Sequence, residues 1–201
     1  MSERQREHRG LPIAGQPAER ADAARNRRRV LAAAAAILAA DGVDGLSVDA
    51  VARAAGVGVG TVYRRFGDRT GLMFALLSER EQEFQAAFMT GPPPLGPGAA
   101  PEDRLRAFLH ALVDRVIGQH DLTLLAETGK PGSRFRSGPY SVYHTHVAAL
   151  LSEARPTTDV HYLADALLAP VSATLIHYQH HERGMPADAI KAGLDDLLAG
   201  R

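Results

Sequence analysis

The chain has 201 residues, of which 45% are hydrophobic and 23% charged, enough for one ordinary domain or a small one joined to a medium one, and unlike the composition of a disordered chain. It contains no cysteine, which excludes disulfides, thiolate metal sites and cysteine nucleophiles and makes the cytoplasm the expected compartment. A formal net charge of zero hides an asymmetry: residues 1–80 hold 13 Arg against 9 acidic residues, a balance of +4, and the remainder balances at −4, which points to a polyanion-binding module joined to a part with another task.

Residues 1–20 carry Gly10, Pro12, Gly15 and Pro17 among charges and read as a flexible arm. Charges interrupt Met1 to Gly15 throughout, so no secretory leader is expected there. From Asp22 to Ala40, apolar residues at Val30, Ala34, Ile37 and Leu38 have helical spacing, and Asp41-Gly42 ends the helix. The apolar run Val30 to Ala40 is about half of what a membrane span needs, so no membrane partner is expected. Ser47 opens a short helix to about Ala55, its hydroxyl placed to accept a first-turn amide, and Asp49 suits the positive helix end. Gly56 breaks that helix. A third helix is predicted from Gly58 to Phe66 and a fourth from Asp68 towards Phe88.

The run Gly91 to Pro101 is too rich in Pro and Gly to be helical and is read as a loop. Further helices are predicted at about 102–118, 121–128, 139–154, 159–182 and 187–199, with a Gly, Pro and Ser-rich loop at Gly129 to Pro139. No segment alternates with period two, and no internal repeat is apparent, so the expected fold class is all-α.

The segment Ser47 to Phe66 is the strongest functional signal. It reads as two short helices joined by a tight turn at Gly56, the residue type that enters left-handed backbone without a Cβ penalty. Ala52 is small enough for a close crossing, and Val51, Ala55, Val57 and Val62 fall where the helices face each other. This is a helix-turn-helix pattern, whose second helix lies in the major groove of DNA. Thr61, Tyr63, Arg64 and Arg65 are then candidates for contacts with bases and phosphates.

The residues Leu46-Ser47, Val51-Ala52, Ala55-Gly56-Val57, Gly60-Thr61-Val62-Tyr63, Phe66, Arg69 and Leu72 resemble the DNA-binding domain of the TetR family of bacterial repressors, over about Arg25 to Leu77. The resemblance implies an N-terminal three-helix DNA-binding domain at 21–67 and a helical regulatory and dimerisation domain at 68–201. It implies a homodimer on a palindromic double-stranded operator, released by a small-molecule effector. Carried over by position, Ser47, Thr61 and Tyr63 contact phosphates, Gly60 stands among the DNA-binding residues, Arg64 reads a base, Arg69 stands where the family has a phosphate-binding Lys, and Arg27 and Arg28 add backbone or minor-groove contacts. The chain departs from the family pattern at Gly58, where Ser is common, and at Thr70, where an acid is common.

The C-terminal part holds eight of the nine histidines. His177 and His181 lie four apart, a metal-ligand spacing, but His144 and His146 lie two apart on different helix faces, and the histidines are read as surface, dimer-seam or cavity residues with no metal and no cofactor. Phe88, Phe108, His110, Tyr143, His144 and His177 are candidate pocket residues for an effector of unspecified chemistry. By resemblance, the helices at 159–182 and 187–199 form the dimer interface, to which Leu163, Leu167, Leu168, Val171 and Leu175 supply an apolar stripe. No hydrolase triad, phosphate-binding loop or paired-carboxylate motif stands out, so no enzymatic activity is expected.

Overall fold

A computed structural model describes residues 17–128, 132–155 and 159–200. The described residues are helical with no strand: α1 (Pro17–Gly45), α2 (Val48–Ala55), α3 (Val59–Phe66), α4 (Arg69–Thr90), α5 (Pro101–Gly118), α6 (His120–Thr128), α7 (Gly138–Ala154), α8 (Val160–Leu168), α9 (Ala173–His177) and α10 (Ala187–Ala199). The all-α class expected from the sequence is the observed one. Of the arm expected at 1–20, residues 1–16 lie outside the described residues, whereas 17–20 form the first turn of α1, with Pro17 where a missing amide costs nothing. The chain forms two compact units, Met1–Leu76 and Leu77–Arg201, whose boundary falls within α4.

In the first unit, Val30, Leu31 and Ala34 of α1 are buried with Val51, Ala52 and Ala55 of α2, Val62 of α3 and Leu72 of α4. α1 loses helical geometry at Gly42, whose φ of 66° is left-handed, as Asp41-Gly42 leads one to expect.

The second unit is built on rings. Phe88 stands edge-on to Phe108 with centroids 5.0 Å apart, and Phe84, Tyr143 and His146 close the cluster. One polar network enters this core. The buried carboxylate of Glu81 accepts from Arg115 Nη2 at 2.7 Å, from the Tyr143 hydroxyl at 2.5 Å and from Gln85 Nε2 at 2.8 Å. Arg115 also lies over the Phe84 ring, 5.4 Å from its centroid, and donates to the Arg80 carbonyl. Burial pushes the Tyr143 hydroxyl well above the ordinary phenol range.

The single helix expected at 159–182 is in fact four pieces. α8 stops at Leu168, Ala169–Val171 forms a 3-10 turn, α9 follows, and Tyr178–Glu182 forms a π-helical turn. The cause of the first break is Pro170, which supplies no amide and cannot continue an α-helix. Ser172 restarts the helix by accepting from the Leu175 amide. A partly buried ion pair satisfies the groups the break exposes: Arg134 donates to the Leu168 carbonyl at 2.8 Å, its partner Glu127 accepts from the Ala173 amide at 2.8 Å, and the two side chains bond to each other. Leu168 and Val171, expected on an intersubunit stripe, are fully buried within the unit; Leu163 and Leu167 are half-buried and Leu175 is exposed.

Two outcomes are expected. Arg134→Ala leaves the partly buried Glu127 without its cation and exposes a helix end, so chemical denaturation should show a loss of about 2 kcal/mol; a loss below about 1 kcal/mol would show that the pair does not hold the break. His146, half-buried against Phe88 and Phe108, has its pKa lowered from 6.5 to about 4 by burial and then by the charge of Arg104. The native ring stays neutral where the unfolded one takes a proton, so its contribution is complete above about pH 6.5 and falls away towards about pH 4. His146→Phe should shallow the acid arm of a stability profile between those limits; an unchanged arm would assign the acid loss elsewhere.

Candidate nucleic-acid interface

α2 starts where Ser47, in extended backbone, accepts from the Ala50 amide at 3.1 Å, and Asp49 sits in its first turn. It ends at Gly56, left-handed at φ 62° and ψ 40°. The Gly56 amide bonds to the Arg53 carbonyl and the Val57 amide to the Ala52 carbonyl at 3.0 Å, which closes the helix end. Arg29, from α1, clamps the same end by donating to the carbonyls of Ala55 at 2.5 Å and Gly56 at 3.3 Å. A Cβ on Gly56 would lie 2.9 Å from Arg29 Nη2, so the turn and the clamp occupy the same space.

The turn delivers α3 with Val62 fully buried and a half-buried Val57 behind it. Gly60, Tyr63 and Arg64, at helical spacing on one face, are exposed, Tyr63 to 49%. Gly58 caps α3 without a side-chain acceptor; the Thr61 amide bonds the Gly58 carbonyl at 2.9 Å, and the amides of Val59 and Gly60 ahead of it are left to water or to a phosphate. Gly60 has no positive φ, and a Cβ added there would meet nothing within 4 Å. Neither backbone conformation nor internal crowding therefore requires glycine at this position.

An open groove of about 470 Å³ runs beside α3, lined by Asn26, Arg27 and Val30 of α1 and by Thr61, Arg64, Arg65 and Phe66. The structure thus brings Arg27 to Thr61, Arg64 and Arg65. Arg28 is exposed on α1. Ser47 is exposed, and a hydroxyl that accepts one bond keeps its own proton to donate. Arg69 is partly committed within the protein: Nη2 donates to the Val43 carbonyl and lies 3.7 Å from Asp44 Oδ1. Arg29, whose clamp on α2 no local pattern announces, is a residue that the sequence reading leaves undistinguished among its arginine neighbours.

The six candidate pocket residues are not brought together. Phe88, Phe108 and Tyr143 fill the core of the second unit. His110 joins α5 to α10 through Asp195 Oδ1 at 3.0 Å. His144 lines a separate open groove of about 710 Å³ with Phe135, Tyr140, Tyr162 and Asp165. There Tyr140 donates to Asp165 at 2.6 Å, and burial followed by that bond pushes its pKa up to about 12. His177 lies against His120 and His181, an association that the spacing of His177 and His181 does not reveal.

A short, tightly capped α2, a tight left-handed turn and an α3 with an outward basic face define a helix-turn-helix DNA-binding protein. The sequence model of the family described as bacterial regulatory proteins, tetR family, matches residues 30–76. An HTH-type transcriptional regulator of Staphylococcus aureus (strain bovine RF122 / ET3-1) is 33% identical over 69 residues, 34% of this chain and 37% of the relative, so the match spans little more than a third of that relative's length. A transcriptional regulator of the TetR/AcrR family from Thermobifida fusca shares the fold with a TM-score of 0.66 at 21% identity, over 86% of this chain and 95% of that one. A Saccharomonospora viridis protein solved in complex with choline aligns with a TM-score of 0.65 at 18% identity, over 88% of this chain and 96% of that one. Residues 30–76 are thus similar to the DNA-binding domain of the tetR family of bacterial regulatory proteins, and the described residues share the all-helical fold of these solved regulators.

The two glycines of the motif are expected to respond in opposite directions. Gly56→Ala places a Cβ in left-handed backbone against Arg29 and should cost about 1–2 kcal/mol of stability. Gly60→Ala improves a first-turn helical residue and should gain about 0.5 kcal/mol. Denaturant titration of both variants tests the pair, and equal effects of one sign would contradict the assignment.

Proposed function

We propose that the protein is a homodimeric repressor that places one α3 per protomer in successive major grooves of a palindromic operator and leaves it when a small-molecule effector binds. The observation that carries this reading is the outward face of α3, where Gly60, Tyr63 and Arg64 stand beside the Arg27 and Arg65 groove. In this reading Ser47, Thr61 and Tyr63 bind phosphates and Arg64 reads a base edge. Gly60 lets a phosphate approach the first-turn amides. Arg69 keeps its Val43 bond and offers its remaining donors to the DNA backbone, while Arg27 and Arg28 add flanking contacts. Residues 21–67 form the DNA-binding domain and 68–201 the regulatory and dimerisation domain; the protein acts in the cytoplasm, where DNA is accessible, and has no catalytic role.

Support for a subunit interface comes from large apolar side chains left outside on the last helices, Leu175 at 37% and Leu197 at 54% exposure. Support for an effector comes from the groove between Phe135, Tyr140 and Tyr162, whose aromatic faces beside the Asp165 carboxylate suit a cation, and from the choline held by the Saccharomonospora viridis neighbour. A coupling of about 1–3 kcal/mol between effector and operator is enough for regulation.

Selection from random duplex DNA with the full chain tests the reading and should return an inverted repeat bound by two protomers. Absence of an enriched inverted repeat overturns it. On the selected duplex, Tyr63→Phe should weaken binding to all sequences by about 1 kcal/mol, whereas Arg64→Ala should cost about 1–3 kcal/mol and relax preference at one position per half-site. An Arg64→Ala variant with unaltered base preference removes Arg64 as the reader.

A further inference from the structure

Three histidines far apart in sequence meet in the second unit. His120 opens α6, His177 ends α9, and His181 lies in the π-helical turn that follows. One nitrogen of each lies within 4.8 Å of the others. The rings pack closely: His120 stacks on His177 with centroids 4.8 Å apart and planes inclined by 13°, and it lies 4.4 Å from His181, which is 5.3 Å from His177. We infer that His120, His177 and His181 form a binding site for a divalent transition-metal ion of the zinc type.

Four observations support the inference. His177 and His181 are four residues apart, the spacing at which side chains on one helical face converge on a metal. The chain between them is π-helical, a geometry that is rare and concentrated at functional sites. His177 Nδ1 is buried with no hydrogen-bond partner, a state that carries a desolvation cost unless something binds there. Glu182 Oε1 lies 3.6 Å from His177 Nε2, near enough to orient that ring or to supply a fourth, oxygen ligand.

The donor set determines the ion. Three imidazoles without thiolate suit Zn²⁺, Cu²⁺, Ni²⁺ or Co²⁺, and a hard cation such as Ca²⁺ or Mg²⁺ would need more oxygens. Zinc nitrogen bonds of about 2.0–2.1 Å require the three nitrogens to draw in from their present spacing, a movement that rotation about χ1 and χ2 provides. His120 and His181 exchange their present contacts for the metal as they do so. Three protein ligands leave one position for water or Glu182, the pattern of an open site. The site stands independently of the operator and effector reading above.

The test is a titration of the metal-stripped full chain with Zn²⁺ by calorimetry at neutral pH, and with Co²⁺ followed by its visible ligand-field spectrum. One ion per chain is expected. His177→Gln and His181→Gln should each weaken binding by at least about tenfold, while His144→Gln, in the other groove, should leave it unchanged. His181 is exposed, so His181→Gln tests the site without disturbing the core, and the unfolding temperature without metal checks that each variant folds. The parent should gain thermal stability with added Zn²⁺ and the His181→Gln variant should not. Absence of saturable binding, or binding that survives in His177→Gln and His181→Gln alike, overturns the inference.

Discussion

Among the described residues, four helices end on an arginine that comes from elsewhere in the chain. Arg29 takes the carbonyls at the end of α2, Arg69 the Val43 carbonyl where α1 turns out of helix, Arg134 the Leu168 carbonyl of α8, and Arg155 the Leu198 carbonyl of α10. A helix leaves its last four carbonyls without internal partners, and for α2, with 8 residues, that is half of its peptide groups. Short helices of this kind depend on partners beyond their own length. Guanidinium serves because it is planar, permanently charged and carries five donors, so one side chain can reach two carbonyls or a carbonyl and a carboxylate together. The orientation of α3 follows from this arrangement, since the turn that launches it is the one Arg29 holds.

The same device explains how the second unit tolerates a proline in a stretch that otherwise reads as one helix. Pro170 costs a backbone bond and exposes groups on both sides of the break. The Arg134 and Glu127 pair answers a carbonyl on one side and an amide on the other, so the partly buried charges meet both each other and the backbone groups of the break. Glu81 is similarly saturated by Arg115, Tyr143 and Gln85. A buried carboxylate with three donors is tolerable where an unpaired one would not be. These pairs fix which helix faces meet, a specificity that ring packing among Phe84, Phe88 and Phe108 alone does not supply.

The helix-turn-helix was legible in the sequence because its determinants are local: a serine cap, a left-handed glycine and buried residues at helical spacing all lie within Ser47 to Phe66. The break at 168–173 was less so, because the leucine and alanine periodicity continues across Pro170 and the groups that satisfy the break, Glu127 and Arg134, belong to another part of the chain. Phe88, Phe108 and Tyr143 pack against one another in the core, whereas Phe135, Tyr140 and Tyr162 line the open aromatic groove, a difference set by tertiary packing and not by side-chain size. The pairing of His177 with His181 could be read from spacing, but the approach of His120 depends on α6 packing against α9. Interactions closed within a turn or two are written in sequence, and those closed by tertiary packing are not.

A neutral net charge appears at first to oppose a nucleic-acid role, but the arginines are not equivalent. Arg115 and Arg134 are paired with the carboxylates of Glu81 and Glu127 and contribute little to an outward field. Arg64 and Arg65 stand exposed on α3 with Arg27 across the groove, so a local excess of positive charge coincides with a helix that presents, at Gly60, a glycine no internal contact requires. At Gly60 a small loss of helix stability sits where a close backbone approach by DNA would repay it, so stability and binding are expected to move in opposite directions at this residue.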